Sequence, residues 1–131
     1  MKNIIVYGSR FGQFYLEALK RMEGIKIVGL LAKGSDRSYE CARYYNIPLY
    51  TSLDEVEERV DVACVAVKTG ALGGEGANIA KQLLRKGINV LLEQPVHYKE
   101  LGECYKIAQN QKVYFGVGNL YLNLPAVQNF I

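Results

Sequence analysis

With 131 residues, half of them apolar, 22% charged and only three Pro, the chain has the size and composition of one globular domain, which excludes a disordered one. Sixteen Lys and Arg against thirteen Asp and Glu leave a net charge of +3 with no basic run, so no nucleic-acid partner is expected. The longest apolar stretch, Val62 to Val67, is far short of the roughly 18–20 residues that cross a bilayer, and the N-terminus reads straight into a strand; no membrane partner is expected, and the expected compartment is the cytoplasm.

Residues 3–7 (Asn-Ile-Ile-Val-Tyr) are apolar on consecutive positions and end at Gly8, the pattern of a strand covered on both faces. From Phe11 the period changes. Phe11, Phe14, Tyr15, Ala18, Leu19 and Met22 form one helical stripe, which Gly24 stops. Residues 26–32 are a second buried strand, 36–45 a helix, 49–50 a short strand, and 52–57 an acidic turn capped by Ser52 or Asp54. Residues 61–67 read as the central strand, and 75–86 as a helix with Ile79, Ala80, Leu83 and Leu84 on one face. A strand over 88–92, a helix over 98–110 with Leu101, Cys104, Tyr105 and Ala108 in register, and a strand over 113–117 follow.

Strands joined by helical crossovers lie parallel, and a parallel sheet needs helices on both faces. The expectation is therefore a doubly wound α/β domain over residues 1–118. The apolar remainder, 119–131, has no place in that pattern and reads as the beginning of a connection to a further domain. Cys41, Cys64 and Cys104 are odd in number, widely spaced and on apolar faces, so they are expected to be reduced, buried thiols, with no metal site.

Ligands of such sheets bind beyond the carboxyl ends of the strands. The first loop there is Gly8-Ser9-Arg10-Phe11-Gly12, joining a strand to a helix as a dinucleotide fingerprint does, although Arg10 stands where the second glycine of G-x-G-x-x-G would be. Gly8 allows the sharp turn, and a side chain at Gly12 would block the approach of a pyrophosphate or of the sheet. After the second strand an NAD-binding chain would place Asp or Glu against the ribose 2′-hydroxyl. Here the loop reads Lys33-Gly34-Ser35-Asp36-Arg37, and Lys33, Ser35 and Arg37 are the donors a 2′-phosphate wants; NADP (as NADPH) is expected over NAD. A solvated basic loop, with Ser35 or Asp36 capping the next helix, is the plainer alternative. The loop opening at Lys68 crowds Gly70, Gly73, Gly74 and Gly76 before a helix, which suits either an anion or simple flexibility.

Glu93-Gln94-Pro95-Val96-His97 follows the next strand. There the sequence resembles the Gfo/Idh/MocA oxidoreductases, whose Rossmann domain carries Glu-Lys-Pro at this place, the lysine contacting cofactor and substrate. Gln94 stands in that lysine's position. A narrower resemblance runs along nearly the whole chain: G-S-R-F-G-Q-F-Y-L, L-L-A-K-G-S-D-R-S, Y-N-I-P-L-Y-T-S, D-V-A-C-V-A-V, E-Q-P-V-H and N-L-Y-L-N-L-P-A-V-Q-N-F-I together look like the thiazolinyl imine reductases, a branch acting in siderophore biosynthesis. The resemblance implies reduction of a thiazoline C=N bond, on a small or carrier-tethered substrate presented by a nonribosomal peptide synthetase. It implies a C-terminal substrate domain absent from this chain, and a homodimer in a full-length form. It adds Lys68, Glu93, Gln94 and Pro95 to the cofactor residues, Glu93 as an orienting group.

Imine reduction needs a general acid near the nitrogen. The candidates are His97, the chain's one histidine, and Tyr121, beyond the last strand; both match positions of proposed proton donors in the resembling family. His97 is equally open to capping the helix that begins at Tyr98, and Tyr121, one of ten tyrosines, to packing. Without a substrate domain the chain is expected to bind cofactor with little catalysis. A nucleotide-sensing module without turnover, or another dehydrogenase of the family, are the alternatives.

Overall fold

The computed structural model describes residues 1–67, 75–94 and 96–118. Six strands, β1 (Lys2–Tyr7), β2 (Ile25–Leu31), β3 (Leu49–Tyr50), β4 (Val62–Val65), β5 (Asn89–Glu93) and β6 (Phe115–Gly118), form one sheet in the order β3-β2-β1-β4-β5-β6. Every pairing is parallel. Helices α1 (Gly12–Leu19), α2 (Asp36–Tyr45), α3 (Gly76–Arg85) and α4 (Tyr98–Gln111) supply the crossovers, with a short 3-10 turn at Leu53–Glu55. The expected doubly wound α/β sheet is the observed one.

Alternation along each strand sends side chains into two separate cores. Ile4, Val6, Leu30, Val62, Cys64 and Leu91 pack against Tyr15, Leu16 and Leu19 of α1 and Cys41 and Ala42 of α2. Ile5, Leu31, Ala63, Val65, Val90 and Leu92 pack against Ala80, Leu83 and Leu84 of α3 and Cys104 and Ala108 of α4. Burial on both faces is why these strands read as unbroken apolar runs. The three cysteines are free and buried; burial pushes the Cys41 thiol up, Cys104 up to about 11 and Cys64 up to about 12. Among the described residues no group of His, Cys, Asp or Glu could hold a metal, and no helix is long and apolar enough to cross a membrane.

Two local expectations shift. The buried face of α1 is Gly12, Tyr15, Leu16 and Leu19, whereas Phe11 and Phe14 of the anticipated stripe are exposed. The helix starts one residue later than the stripe implies, and Gly12, tight against Val6 of β1, fixes which face turns inward. Tyr105 is likewise half exposed, its ring meeting Phe115 edge-on with centroids 5.0 Å apart. The acidic turn is capped by Ser52, whose hydroxyl accepts from the Asp54 N–H while Glu55 reaches back to the Ser52 N–H at 3.0 Å.

A polar clasp joins the two helices of the second layer. Lys81 of α3, its side chain 11% exposed, has its ammonium 2.6 Å from both Glu100 and Glu103 of α4. These carboxylates raise the lysine pKa against the effect of burial. The clasp ties the first two turns of α4 to α3.

Gly8 and Gly24 separate two costs. Both have positive φ, +97° and +78°, but a Cβ on Gly8 would lie 2.7 Å from the Ala66 carbonyl oxygen, while one on Gly24 would meet nothing within 4 Å. Urea unfolding should show Gly24→Ala losing roughly 1–2 kcal/mol and Gly8→Ala roughly 2–5 kcal/mol; equal losses would mean the turn relaxes away from Ala66.

Candidate functional site

The first pair of crossovers leaves β1 toward β2 and the later ones leave toward β4, so a crevice opens above the carboxyl ends of β1 and β4. A cavity of about 570 Å³ occupies it, walled by Gly8 to Phe11, by Ala32, Lys33 and Ser35 beyond β2, by Ala66 and Val67 beyond β4, and by Glu75 and Ile79 of the α3 entry. That volume lies within the roughly 300–1,000 Å³ of small-molecule and cofactor clefts.

The floor is the β1–α1 turn. The Gly8 N–H donates to the Leu31 carbonyl at 2.8 Å, and the Ala66 N–H to the Tyr7 carbonyl at 2.9 Å, so the turn is stitched to both neighbouring strands. Gly12 lies beneath the cleft, where a Cβ would stand 3.0 Å from Val6 Cγ1; its smallness serves the packing of α1 on the sheet. Arg10 carries its guanidinium 5.9 Å from the Phe11 ring centroid, and both side chains border the cavity.

At the outer end, Lys33 and Ser35 line the cavity, with no carboxylate between them. Ser35 is the N-cap of α2, accepting from the Ser38 N–H at 3.2 Å. The Ser38 hydroxyl, on a residue 2% exposed, lies 2.9 Å from that of Ser35 and donates to that of Ser9 at 3.2 Å. Arg37 points elsewhere. It borders a separate depression between α1 and α2, beside Glu17, Glu40 and Tyr44.

Beyond β5 the described residues form a third group outside the cavity lining. Glu93, 8% exposed, accepts from the Tyr15 hydroxyl at 2.6 Å and from the Gln94 N–H at 3.0 Å. The same N–H faces the Gly118 carbonyl at 3.3 Å, while the Gln94 side chain is exposed. Glu93 thus joins α1 to the loop that leads to His97. His97 is the N-cap of α4: its Nδ1 accepts from the Lys99 N–H at 3.2 Å and its ring stacks on Tyr98. With Nδ1 engaged as acceptor, the neutral ring carries its proton on Nε2, which remains able to donate. Lys68, Pro95, Tyr121 and the segment 119–131 lie outside the described residues.

The structure therefore brings together Gly8, Ser9, Arg10, Phe11, Lys33 and Ser35, and sets apart Gly12, Arg37, Glu93, Gln94 and His97. It adds residues that sequence reasoning did not single out: Tyr7, Ser38, Thr51, Glu75 and Ile79 on the cavity wall and Tyr15 behind Glu93. Burial, with Asp54 adding, pushes the Tyr7 hydroxyl up to about 12. Tyr7 was hidden as an apolar strand residue, and Tyr15 as one of a helical stripe. Ser38, three residues after a capping serine, was the one with a signal to follow.

These features fit a dinucleotide. The Gly8 turn, which packs too close to Ala66 for a Cβ, brings the first loop's backbone to the cavity wall, hydroxyl and cationic donors line the cavity, and apolar walls at Tyr7, Leu31 and Ile79 suit a flat ring.

The Gfo/Idh/MocA family model, described as an oxidoreductase family with an NAD-binding Rossmann fold, matches residues 2–119. Among curated proteins none matches the sequence. Similar solved structures include GenD2 from gentamicin A biosynthesis in complex with NAD (TM-score 0.80, 21% identity, covering 89% of this chain and 34% of that one). Others are myo-inositol 2-dehydrogenase from Lactobacillus plantarum (0.75, 19%, 89% and 36%) and biliverdin reductase from Synechocystis sp. PCC 6803 in complex with biliverdin and NADP+ (0.76, 17%, 92% and 38%). The chain spans between 34% and 38% of the length of these three relatives.

The Tyr15–Glu93 bond is short, as hydroxyl–carboxylate bonds are, and buried. Tyr15→Phe keeps the ring but takes a donor from the carboxylate, and denaturant titration should show a loss of about 1–3 kcal/mol. A loss below about 0.5 kcal/mol would mean that Glu93 is held by its other contacts.

Proposed function

Because this chain belongs to the Gfo/Idh/MocA oxidoreductase family and is its NAD(P)-binding Rossmann domain, we propose that it binds NADPH in preference to NADH and serves an oxidoreductase that reduces a thiazoline C=N bond. The observation that carries the cofactor choice is the outer end of the cleft. Lys33 and Ser35 border it and no carboxylate stands there to repel a 2′-phosphate. Arg37, bordering the neighbouring depression, adds positive charge at longer range. The reductase reading rests on the run of resembling segments from Gly8 to the C-terminal tail, with Gln94 in place of the family's lysine.

When bound, the reduced nicotinamide supplies hydride to the imine carbon. The chain's own residues do the rest. Gly8 admits the pyrophosphate to the backbone, Ser9 and Arg10 offer it donors, and Lys33 holds the outer phosphate. Glu93, tied to Tyr15, fixes the loop before His97. His97, through Nε2, and Tyr121 are the proposed proton donors to the imine nitrogen. The proposed substrate is small or tethered to a nonribosomal peptide synthetase carrier, and the complete enzyme is proposed to be a cytoplasmic homodimer whose second domain completes the substrate pocket.

Isothermal titration of this chain should give a Kd for NADPH at least about tenfold below that for NADH, one charge-assisted contact being worth roughly that factor. Lys33→Ala should remove most of the difference and Arg37→Ala less of it; equal affinities for the two dinucleotides would sink the choice of NADPH. In an enzyme form that carries the substrate domain, His97→Ala or Tyr121→Phe should slow imine reduction by about 100-fold or more, the usual contribution of a general acid. Unchanged turnover in both variants would remove them from the mechanism.

A further inference from the structure

Three serine hydroxyls cross the cleft from its outer end to its floor, and their protons can be counted. Ser35 is in the cap of α2, Ser38 in the first turn of that helix and Ser9 in the β1–α1 loop. Each hydroxyl has one proton to donate and two lone pairs with which to accept. The Ser38 proton goes to Ser9 Oγ, at 3.2 Å. By its geometry either hydroxyl of the 2.9 Å Ser35–Ser38 contact could donate; with the Ser38 proton on Ser9, Ser38 accepts there and the Ser35 proton is engaged as well. Ser35 Oγ accepts in turn from the Ser38 N–H. The Ser9 proton alone is left for a ligand.

The chain of hydroxyls thus has a direction. Its inner end, at Ser9, presents a donor on the cavity wall shared with Gly8 and Arg10, whose positive charge favours an anion. Its outer end, at Ser35, presents one remaining lone pair and no proton. Ser38 cannot turn to water to reverse this arrangement without cost, since it is 2% exposed and its hydroxyl sits between the two others.

We propose that Ser38 is a positioning residue for the cofactor: its buried hydroxyl holds Ser9 as a one-way donor to a phosphate oxygen of the bound dinucleotide and withdraws the Ser35 proton from the ribose end. This rests on the assignment of the cleft to a dinucleotide and is independent of which one is preferred. It gives Ser35 a different part from the one expected of it, namely acceptor and helix cap, and leaves the outer phosphate to Lys33. Deleting the Ser38 hydroxyl frees Ser9 to rotate and frees the Ser35 proton, while the exposed hydroxyl of Ser35 and the partly exposed one of Ser9 find water.

The test is calorimetric titration of the wild-type chain, Ser9→Ala, Ser38→Ala, the double variant and Ser35→Ala with NADPH and with NADH, beside thermal unfolding of each. Ser9→Ala and Ser38→Ala should each weaken both dinucleotides about tenfold. The double variant should bind no worse than Ser9→Ala, because Ser38 acts through Ser9. Ser35→Ala should change the ratio of the two affinities less than about twofold, a small fraction of one hydrogen bond, and Ser38→Thr, which keeps the hydroxyl, should retain more affinity than Ser38→Ala. Losses that multiply in the double variant, a Ser38→Ala loss confined to NADPH, no loss at all, or binding of neither dinucleotide by the wild type would each overturn the proposal. A wild-type preference for NADH, with the variant pattern as expected, would instead overturn the choice of NADPH and leave the part of Ser38 standing.

Discussion

A methyl group on Gly8 would stand 2.7 Å from the carbonyl oxygen of Ala66, in a residue whose φ is already +97°. Much of the cleft follows from that crowding. The chain can reverse from β1 into α1 within a few residues only by passing close to the end of β4, and the passage is closed on both sides by hydrogen bonds from Gly8 to Leu31 and from Ala66 to Tyr7. The same narrow turn seats Gly12 against Val6, which sets the roll of α1 and sends Tyr15 inward to Glu93. One steric constraint at the end of the first strand therefore reaches the far end of the fifth.

The polar groups behind the cleft are arranged so that few of them move independently. Ser9, Ser35 and Ser38 join the first loop to the second helix. Tyr15 and Glu93 join the first helix to the loop before α4, and Lys81 joins α3 to the first turn of α4. In a sheet whose cores are apolar on both sides, these contacts supply the directional information that hydrophobic burial lacks. The resulting wall is cross-linked by hydrogen bonds where Ser9, Ser35 and Ser38 meet. The exposed Lys33 and Arg10 bring charge to it without geometry of comparable stiffness.

The architecture was legible because a strand buried on both faces cannot conceal itself: five short apolar runs separated by helical periods admit little besides a parallel sheet, and α2 and β3 were placed to the residue. The first loop was legible through Gly8, since a strand that ends on glycine and enters a helix has a turn to make. What sequence periodicity misjudged was the roll of α1. Phe11 and Phe14 are more hydrophobic than Gly12, yet it is the residue without a side chain that faces the sheet, because proximity there outweighs hydrophobicity. The set-apart positions have a similar cause. Arg37 follows Ser35 by two residues, but helical geometry turns it about 200° away, toward the groove beside α1. Ser38, three residues from Ser35, comes back to the same side, and Tyr15 and Glu93 meet across 78 residues with no local pattern to announce it.

The order of strands also governs when the sheet can become whole. β1 is the third strand across and pairs on one side with β2, near in sequence, but on the other with β4, where Ile4 lies opposite Val62. At translation speeds of roughly 5–20 residues per second, the far side of β1 waits several seconds for its neighbour to be made. During that interval Ile4, Ile5 and Val6, all wholly buried in the finished molecule, form an open apolar edge of the kind that recruits other chains. The strand that ends in the Gly8 turn is thus also a segment of the nascent chain in need of shelter.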